Sequence, residues 1–173
     1  MWDFFETVRH RHSIRKYQTN RQVEAEKIHA ILEMACAAPS AGDLQAYKIV
    51  VLSKQEDRIA IQQRAHNQTF ISDAPVCLVF CSDPQRSAEK YGPRGEHLYA
   101  IQDATIAAAY AQLAAVAAGL ASTWVGNFDE AEVKNYLDLD KNLTPIALII
   151  IGYPAELPEP TTRRRLDDVV KYR

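Results

Sequence analysis

Two short basic segments at opposite ends of the chain carry the residues best suited to chemistry. Near the start, Arg11-His12-Ser13-Ile14-Arg15 places two guanidiniums, a hydroxyl and a run of backbone N–H groups in one short stretch. Near the end, Arg163 and Arg165 stand two apart in a segment rich in proline and arginine. Guanidinium forks match phosphate oxygens bidentately. Two such segments closing on one anion, beside a body whose net charge is only −2, point to a phosphorylated cofactor. Taken singly, each cluster is also what a solvated basic surface looks like.

Other chemistries find little support. Gly92 and Gly95 precede a helix instead of joining a strand to a helix start, so no dinucleotide fingerprint or Walker loop is present. No HExxH occurs, and His10 with His12 would lack further ligands, so no metal is expected. Ser40 can be paired on paper with a His and an Asp, but no nucleophile-elbow motif surrounds it. The negative net charge and the lack of an aromatic-basic surface motif disfavour nucleic acid. Cys36, Cys77 and Cys81 are odd in number and without zinc-type spacing; they read as small core residues in a reducing compartment. MWDFFETVRHRHS lacks the apolar core of a signal peptide, which makes the cytoplasm the expected location.

The elements that must position these residues are legible from periodicity. Asp103 to Ala121 is mostly alanine, with Ile106, Tyr110, Leu113, Val116 and Leu120 at spacings of three and four. It predicts a helix from near Tyr99 to Gly119, about 30 Å long and apolar nearly all round, hence covered on several sides. Asp103, Thr105 and Gln112 interrupt it, which argues against a membrane span. A short amphipathic helix is expected over 2–10, carrying Trp2, Phe5 and Val8, and a second helix over 23–37. Further helices are expected over 55–64 and 129–137, where Asp129 and Glu132 form a capping-box pattern. Strands are expected over 47–53, 75–82, 122–125 and 145–153. DPQRSAEKYGPRGE, with two Pro and two Gly, reads as a mobile loop. The 173 residues, 47% apolar and 24% charged, suit one globular domain over 1–173. The fold class is α+β: a three-layer α/β/α arrangement with a mixed or antiparallel central sheet. Residues 154–173 cannot form a core of their own and are expected to wrap a partner subunit.

RHSIR, PSAGDLQ, the YGPRGE–helix–GL block, WVGNFDE and the closing IGYPAE with RRRL, in that order, resemble the FMN-dependent nitroreductases, particularly the short single-domain members. The resemblance covers nearly the whole chain. It implies an obligate homodimer built on the long helix. It also implies an NADH- or NADPH-driven ping-pong oxidoreductase with FMN at its centre, acting on a nitroaromatic, quinone or other small acceptor. On matching positions, Arg11, His12 and Ser13 bind the phosphate and ribityl chain. Arg15 lies near the flavin pyrimidine edge, where positive charge stabilises the reduced flavin. Asn67 contacts the flavin, and the backbone of Val125 and Gly126 passes the ring near N5. Pro39, Ser40, Ala41, Gly42, Asp43 and Gln45 come from the other subunit, while Arg163 and Arg165 complete the phosphate site. No side chain is assigned as a catalytic acid.

The chain departs from the family pattern at Asp43, where an Asn is usual. Asp43 either faces the flavin, lowering its potential, or points to solvent or caps a backbone N–H. The segment before the long helix is short, which leaves an open pocket; Lys90, Tyr91 and Arg94 there are candidates to touch donor or acceptor. A different class of function, a flavin-binding sensor or store with little turnover, stays open.

Overall fold

The computed structural model describes residues 3–158 and 161–173; Trp2 therefore lies outside the described residues. Four strands, β1 (Tyr47–Leu52), β2 (Val76–Ser82), β3 (Ala121–Val125) and β4 (Thr144–Gly152), form one sheet in the order β1-β2-β4-β3. Every pairing is antiparallel. Side chains alternate across a strand, so β2 and β4 supply both cores of a three-layer structure. Val76, Leu78 and Phe80 of β2 and Ala147, Ile149 and Ile151 of β4 face α2 (Ala25–Cys36) and α6 (Ala100–Ala117). Cys77, Val79 and Cys81, with Leu148 and Ile150, face α3 (Gln55–Arg64), α4 (Phe70–Asp73) and α7 (Glu130–Tyr136). All seven residues of β2 are buried, as a central strand requires. Each fully buried Leu, Ile, Val or Phe stabilises the fold by about 1.5–3 kcal/mol.

The long helix is where expected, and its end is a Schellman motif. Gly119 (φ +76) donates to Val116, and Leu120 donates to Ala115 at 2.8 Å. Its alanines are the inward face: Ala104, Ala107, Ala108, Ala111 and Ala115 are fully buried against α2 and the sheet. The larger residues divide. Val116 and Leu120 are buried, Ile106 and Leu113 are half-buried, and Tyr110 is 40% exposed. Small side chains let α6 lie close to two neighbours at once, which leaves its bulky residues on the outside. The short α1 (Phe4–His10) behaves similarly. Its capping box joins Asp3 and Glu6, but only Thr7 is buried, and Phe4, Phe5 and Val8 stand exposed.

One expectation fails. Residues 83–96 are not a mobile loop but α5 (Pro84–Arg94) followed by a π-helical turn at Gly95–Tyr99 that runs into α6. Asp83 accepts from the Arg86 N–H as N-cap, and Pro84 sits in the first turn, where its missing N–H costs nothing. Gly92 (φ +57, ψ −144) takes the kink, which only glycine adopts readily. A second expectation is met by half: Asp129 accepts from the Glu132 N–H at 2.9 Å, while the Glu132 carboxylate lies 3.9 Å from Arg64. Among the described residues beyond Pro154 all but the half-buried Glu156 are exposed, and Leu166–Asp168 forms a short 3-10 turn.

Candidate functional site

The RHSIR segment leaves α1 and is stitched to β3. Ser13 pairs with Ser122 as an isolated parallel bridge, Ile14 N–H donates to Ser122 O at 3.2 Å, and the Thr123 hydroxyl donates to Ile14 O. This fixes Arg11, His12, Ser13 and Arg15 along one wall of a cavity of about 530 Å³. Glu156, Leu157 and Pro158, with Thr161 and Arg163 from the tail, complete the lining. The two basic segments thus meet, as anticipated for one anion. Burial and, after it, the charge of Arg163 push the Arg11 guanidinium below its ordinary value. Two like charges therefore face one space, which an anion would relieve. Arg163 is oriented by its bond to Thr161 Oγ1 at 2.6 Å. Arg165 lies outside the cavity wall, 3.9 Å from Asp167.

Glu156 and Thr161 are site residues that motif reading missed. Glu156 Oε1 accepts from the Arg15 and Lys16 N–H groups at 2.8 and 3.1 Å and so holds the basic loop open toward the cavity. Nothing local marks Glu156, which acts across 141 and 140 positions of sequence, whereas Thr161 enters through its bond to Arg163, two positions on.

At the far end of β3, Val125 is buried and Gly126 exposed. The turn after α3 comes up against this point: His66 Nε2 lies 3.2 Å from Asn127 Oδ1, and Gln68 Nε2 donates to Asn127 O at 3.4 Å. Asn67 sits between them, exposed, and both His66 and Asn67 hold positive φ (+55 and +58). Such conformations in non-glycine residues persist only where the surroundings enforce them, and they cluster at functional sites. Four residues of strand separate Ser122 from Gly126, about 13 Å.

The third predicted segment lies elsewhere. Pro39, Ser40, Ala41, Gly42, Asp43 and Gln45 form a tight loop whose Gly42, Asp43 and Gln45 all have positive φ. Gln45 ties it internally: its N–H donates to Ser40 Oγ at 3.0 Å, and its Nε2 donates to Asp43 Oδ1 at 2.6 Å. The loop hangs on Asp103, a 1% exposed carboxylate in the first turn of α6, which accepts from Ala41 N–H and Ala46 N–H at 2.8 and 3.2 Å. His12, by contrast, shares a cleft with Val116 and Leu120 at the other end of α6. Thirteen residues of helix separate Asp103 from Val116, about 20 Å. Within one chain the loop and the basic cavity stand apart.

The nitroreductase family profile matches residues 8–72 and 60–153. The chain belongs to the nitroreductase family. A Thermus thermophilus protein named NADH dehydrogenase is 30% identical over 190 residues, spanning 94% of this chain and 92% of that protein. A Vibrio harveyi NADPH-flavin oxidoreductase is 31% identical over 166 residues, or 91% of this chain and 68% of its own. Among solved structures, a nitroreductase family protein of Clostridium difficile 630 superposes with a TM-score of 0.88 at 31% identity, covering 99% of this chain and 98% of that one. The nitroreductase fold thus extends over the whole described chain. Among the described residues no cluster of His, Cys, Asp or Glu is arranged to hold a metal ion, and no helix is long and apolar enough to cross a membrane.

Proposed function

We propose that this nitroreductase-family protein is an FMN-dependent NAD(P)H oxidoreductase. The observation that carries the reading is that Arg11 and Arg163 line one cavity together with Ser13, with no carboxylate among the described residues in an ion pair with either guanidinium. These residues fit a phosphate. Phosphate held there, with the body of the cofactor directed along β3 toward Gly126 and Asn67, matches the about 13 Å that the strand spans. His12 then supports the ribityl chain. Arg15, held by Glu156 through its backbone, offers positive charge to the electron-rich edge of the ring. Gly126 leaves the ring approachable from the main chain. Relatives named for NADH and for NADPH-flavin chemistry support a nicotinamide donor and a flavin.

Bound FMN would supply the redox chemistry, between a dihydronicotinamide donor and a small acceptor such as a quinone or nitroaromatic in a ping-pong order. The protein binds, orients and sets charge around it. No side chain is needed as an acid at the reacting atom.

The reading includes a homodimer. An apolar groove of about 430 Å³ runs between α1, α2 and α6, lined by Phe4, Met34, Tyr110, Leu113, Ala114 and Ala117. Exposed apolar surface of this kind marks an interface. A second copy seated there with its α6 antiparallel brings its 39–45 loop to the basic cavity, which closes the about 20 Å gap within one chain. We assign residues 154–173, otherwise without a core, to the surface of that second copy, and treat 1–173 as a single domain. The unpaired Cys36, Cys77 and Cys81 suit a cytoplasmic protein.

The test is the visible spectrum of the purified protein under anaerobic conditions, before and after NADH and then NADPH. Flavin absorbance that bleaches on donor addition and returns with an acceptor supports the oxidoreductase. Flavin that stays oxidised with both donors favours a binding protein, and a colourless protein that cannot be reconstituted with FMN removes the reading.

A further inference from the structure

The helix where a loop was expected places two cations, Arg86 and Lys90, against the 39–45 loop and a third, Arg94, further along the same helix. Arg86 and Lys90, one turn apart on α5, both reach down to the loop: Arg86 Nε donates to Leu44 O at 2.5 Å, and Lys90 Nζ lies 3.4 Å from Gly42 O. The contact is close. A Cβ built on Gly42 would stand 2.3 Å from Tyr91 Oη and 2.6 Å from Lys90 Nζ. Tyr91 packs edge-on against Tyr99 with ring centroids 5.2 Å apart. Lys90 Nζ lies 5.4 Å from the Tyr91 ring, and the Arg94 guanidinium lies 5.4 Å from the Tyr99 ring and bonds its hydroxyl at 2.9 Å. Lys90, Tyr91, Tyr99 and Arg94 thus form one continuous strip, a pair of rings with a cation at each end.

Two features separate this strip from an ordinary solvated face. The charged ends are held on carbonyls and rings instead of swinging free. In addition, none of the three cations is within ion-pair distance of a carboxylate among the described residues. Asp43, the acid on the loop beneath, is engaged by Gln45 instead. A preorganised, uncompensated row of positive charge is what an oligophosphate requires.

We infer that Lys90 and Arg94, with Arg86 anchoring the strip to the loop, form the phosphate subsite of the nicotinamide dinucleotide donor, and that this subsite favours NADPH over NADH through its additional phosphate. The inference rests on the reading above that a nicotinamide donor reduces bound FMN beside the 39–45 loop. The aromatic pair sets the spacing of the cations, and the loop carbonyls fix their height.

Steady-state kinetics with three donors test it: NADPH, NADH and 1-benzyl-1,4-dihydronicotinamide, which carries the hydride but no phosphate. In Lys90→Glu and in Arg94→Glu, KM for NADPH should rise about tenfold or more with little change in kcat, as expected for loss of a charge-assisted contact. The loss with NADPH should exceed that with NADH, and exceed that with the phosphate-free donor at least about fivefold. In the unaltered protein, raising ionic strength should raise KM for NADPH while leaving KM for the phosphate-free donor nearly constant, a readout that needs no folded variant. An NADPH KM insensitive to both charge reversal and salt, with flavin still reduced by all three donors, overturns the subsite alone. Failure of every donor to reduce the flavin, the phosphate-free one included, overturns the underlying function and the subsite with it.

Discussion

The carboxylate of Asp103 accepts a 2.8 Å hydrogen bond from the backbone N–H of Ala41, sixty-two positions away in sequence. A second bond, from Ala46 N–H, makes this buried acid the fastening of the whole 39–46 loop to α6. Asp103→Ala would leave two backbone donors without partners. The expected cost is about 2–4 kcal/mol, read from urea denaturation at fixed protein concentration because an oligomer's stability depends on it. Full retention of stability would mean the loop is held by Gln45 and α5 alone.

The facing of Arg11 and Arg163 gives a direct test of the anion site. Arg11→Ala and Arg163→Ala should each weaken FMN binding by about tenfold to a hundredfold, the scale of a hydrogen bond to a charged group. Arg165→Ala, whose guanidinium lies by Asp167 outside the cavity wall, should weaken it less. Fluorescence titration with FMN distinguishes the three. Equal losses at Arg163 and Arg165 would mean that the tail rearranges when the cofactor binds.

Gly95 stands where a side chain cannot. A Cβ there would meet the Ser87 carbonyl oxygen at 2.4 Å, backbone that has no freedom to move aside. Gly95→Ala should cost about 1–3 kcal/mol through overpacking and lift α5 from the 39–45 loop. Thermal unfolding checks the first effect and NADPH KM the second. A neutral result on both would show that the π-helical turn relaxes freely.

Alkaline pH should destabilise the protein. Burial pushes the Cys77 and Cys81 thiols up from 9.0 to about 12, and burial followed by the neighbouring Cys36 raises Tyr47 from 10.0 to about 12. Below about pH 9 folded and unfolded chains keep these protons alike, and the stabilisation is fully present. As pH rises toward 12 the unfolded chain releases protons the folded chain retains, so stability falls. Denaturation midpoints should hold from pH 8 to about 9 and fall from there to pH 11, and a flat profile would contradict the burial. The exposed Cys36 should react quickly with a thiol reagent, Cys77 and Cys81 only after unfolding.

Much of the fold was legible in the chain because periodicity records burial. The apolar runs of β2 and β4, the alanine run of α6 ended by Gly119, and the cap at Asp129 are local signals. Asp83-Pro84 was one of them, masked by the two glycines that follow. The basic halves of the site were legible as charge clusters, although each alone also fits a solvated surface. Their closing on one anion was expected from their chemistry, but the path that brings them together was not legible. Arg11 and Arg163 come together only because β3 carries Ser13 on one side and β4 returns the chain at Pro154 on the other. Glu156 and Asp103 were invisible for the same reason: each accepts from backbone N–H groups brought near by the sheet and by α6, not by sequence neighbourhood. Residue types along the chain determined which elements form and which charges are available. The tertiary structure alone decided which charges share a cavity, that the alanine face of α6 turns inward, and that the 39–45 loop sits a helix length from the phosphate-sized cavity, because those distances are set by how layers pack and not by any local preference.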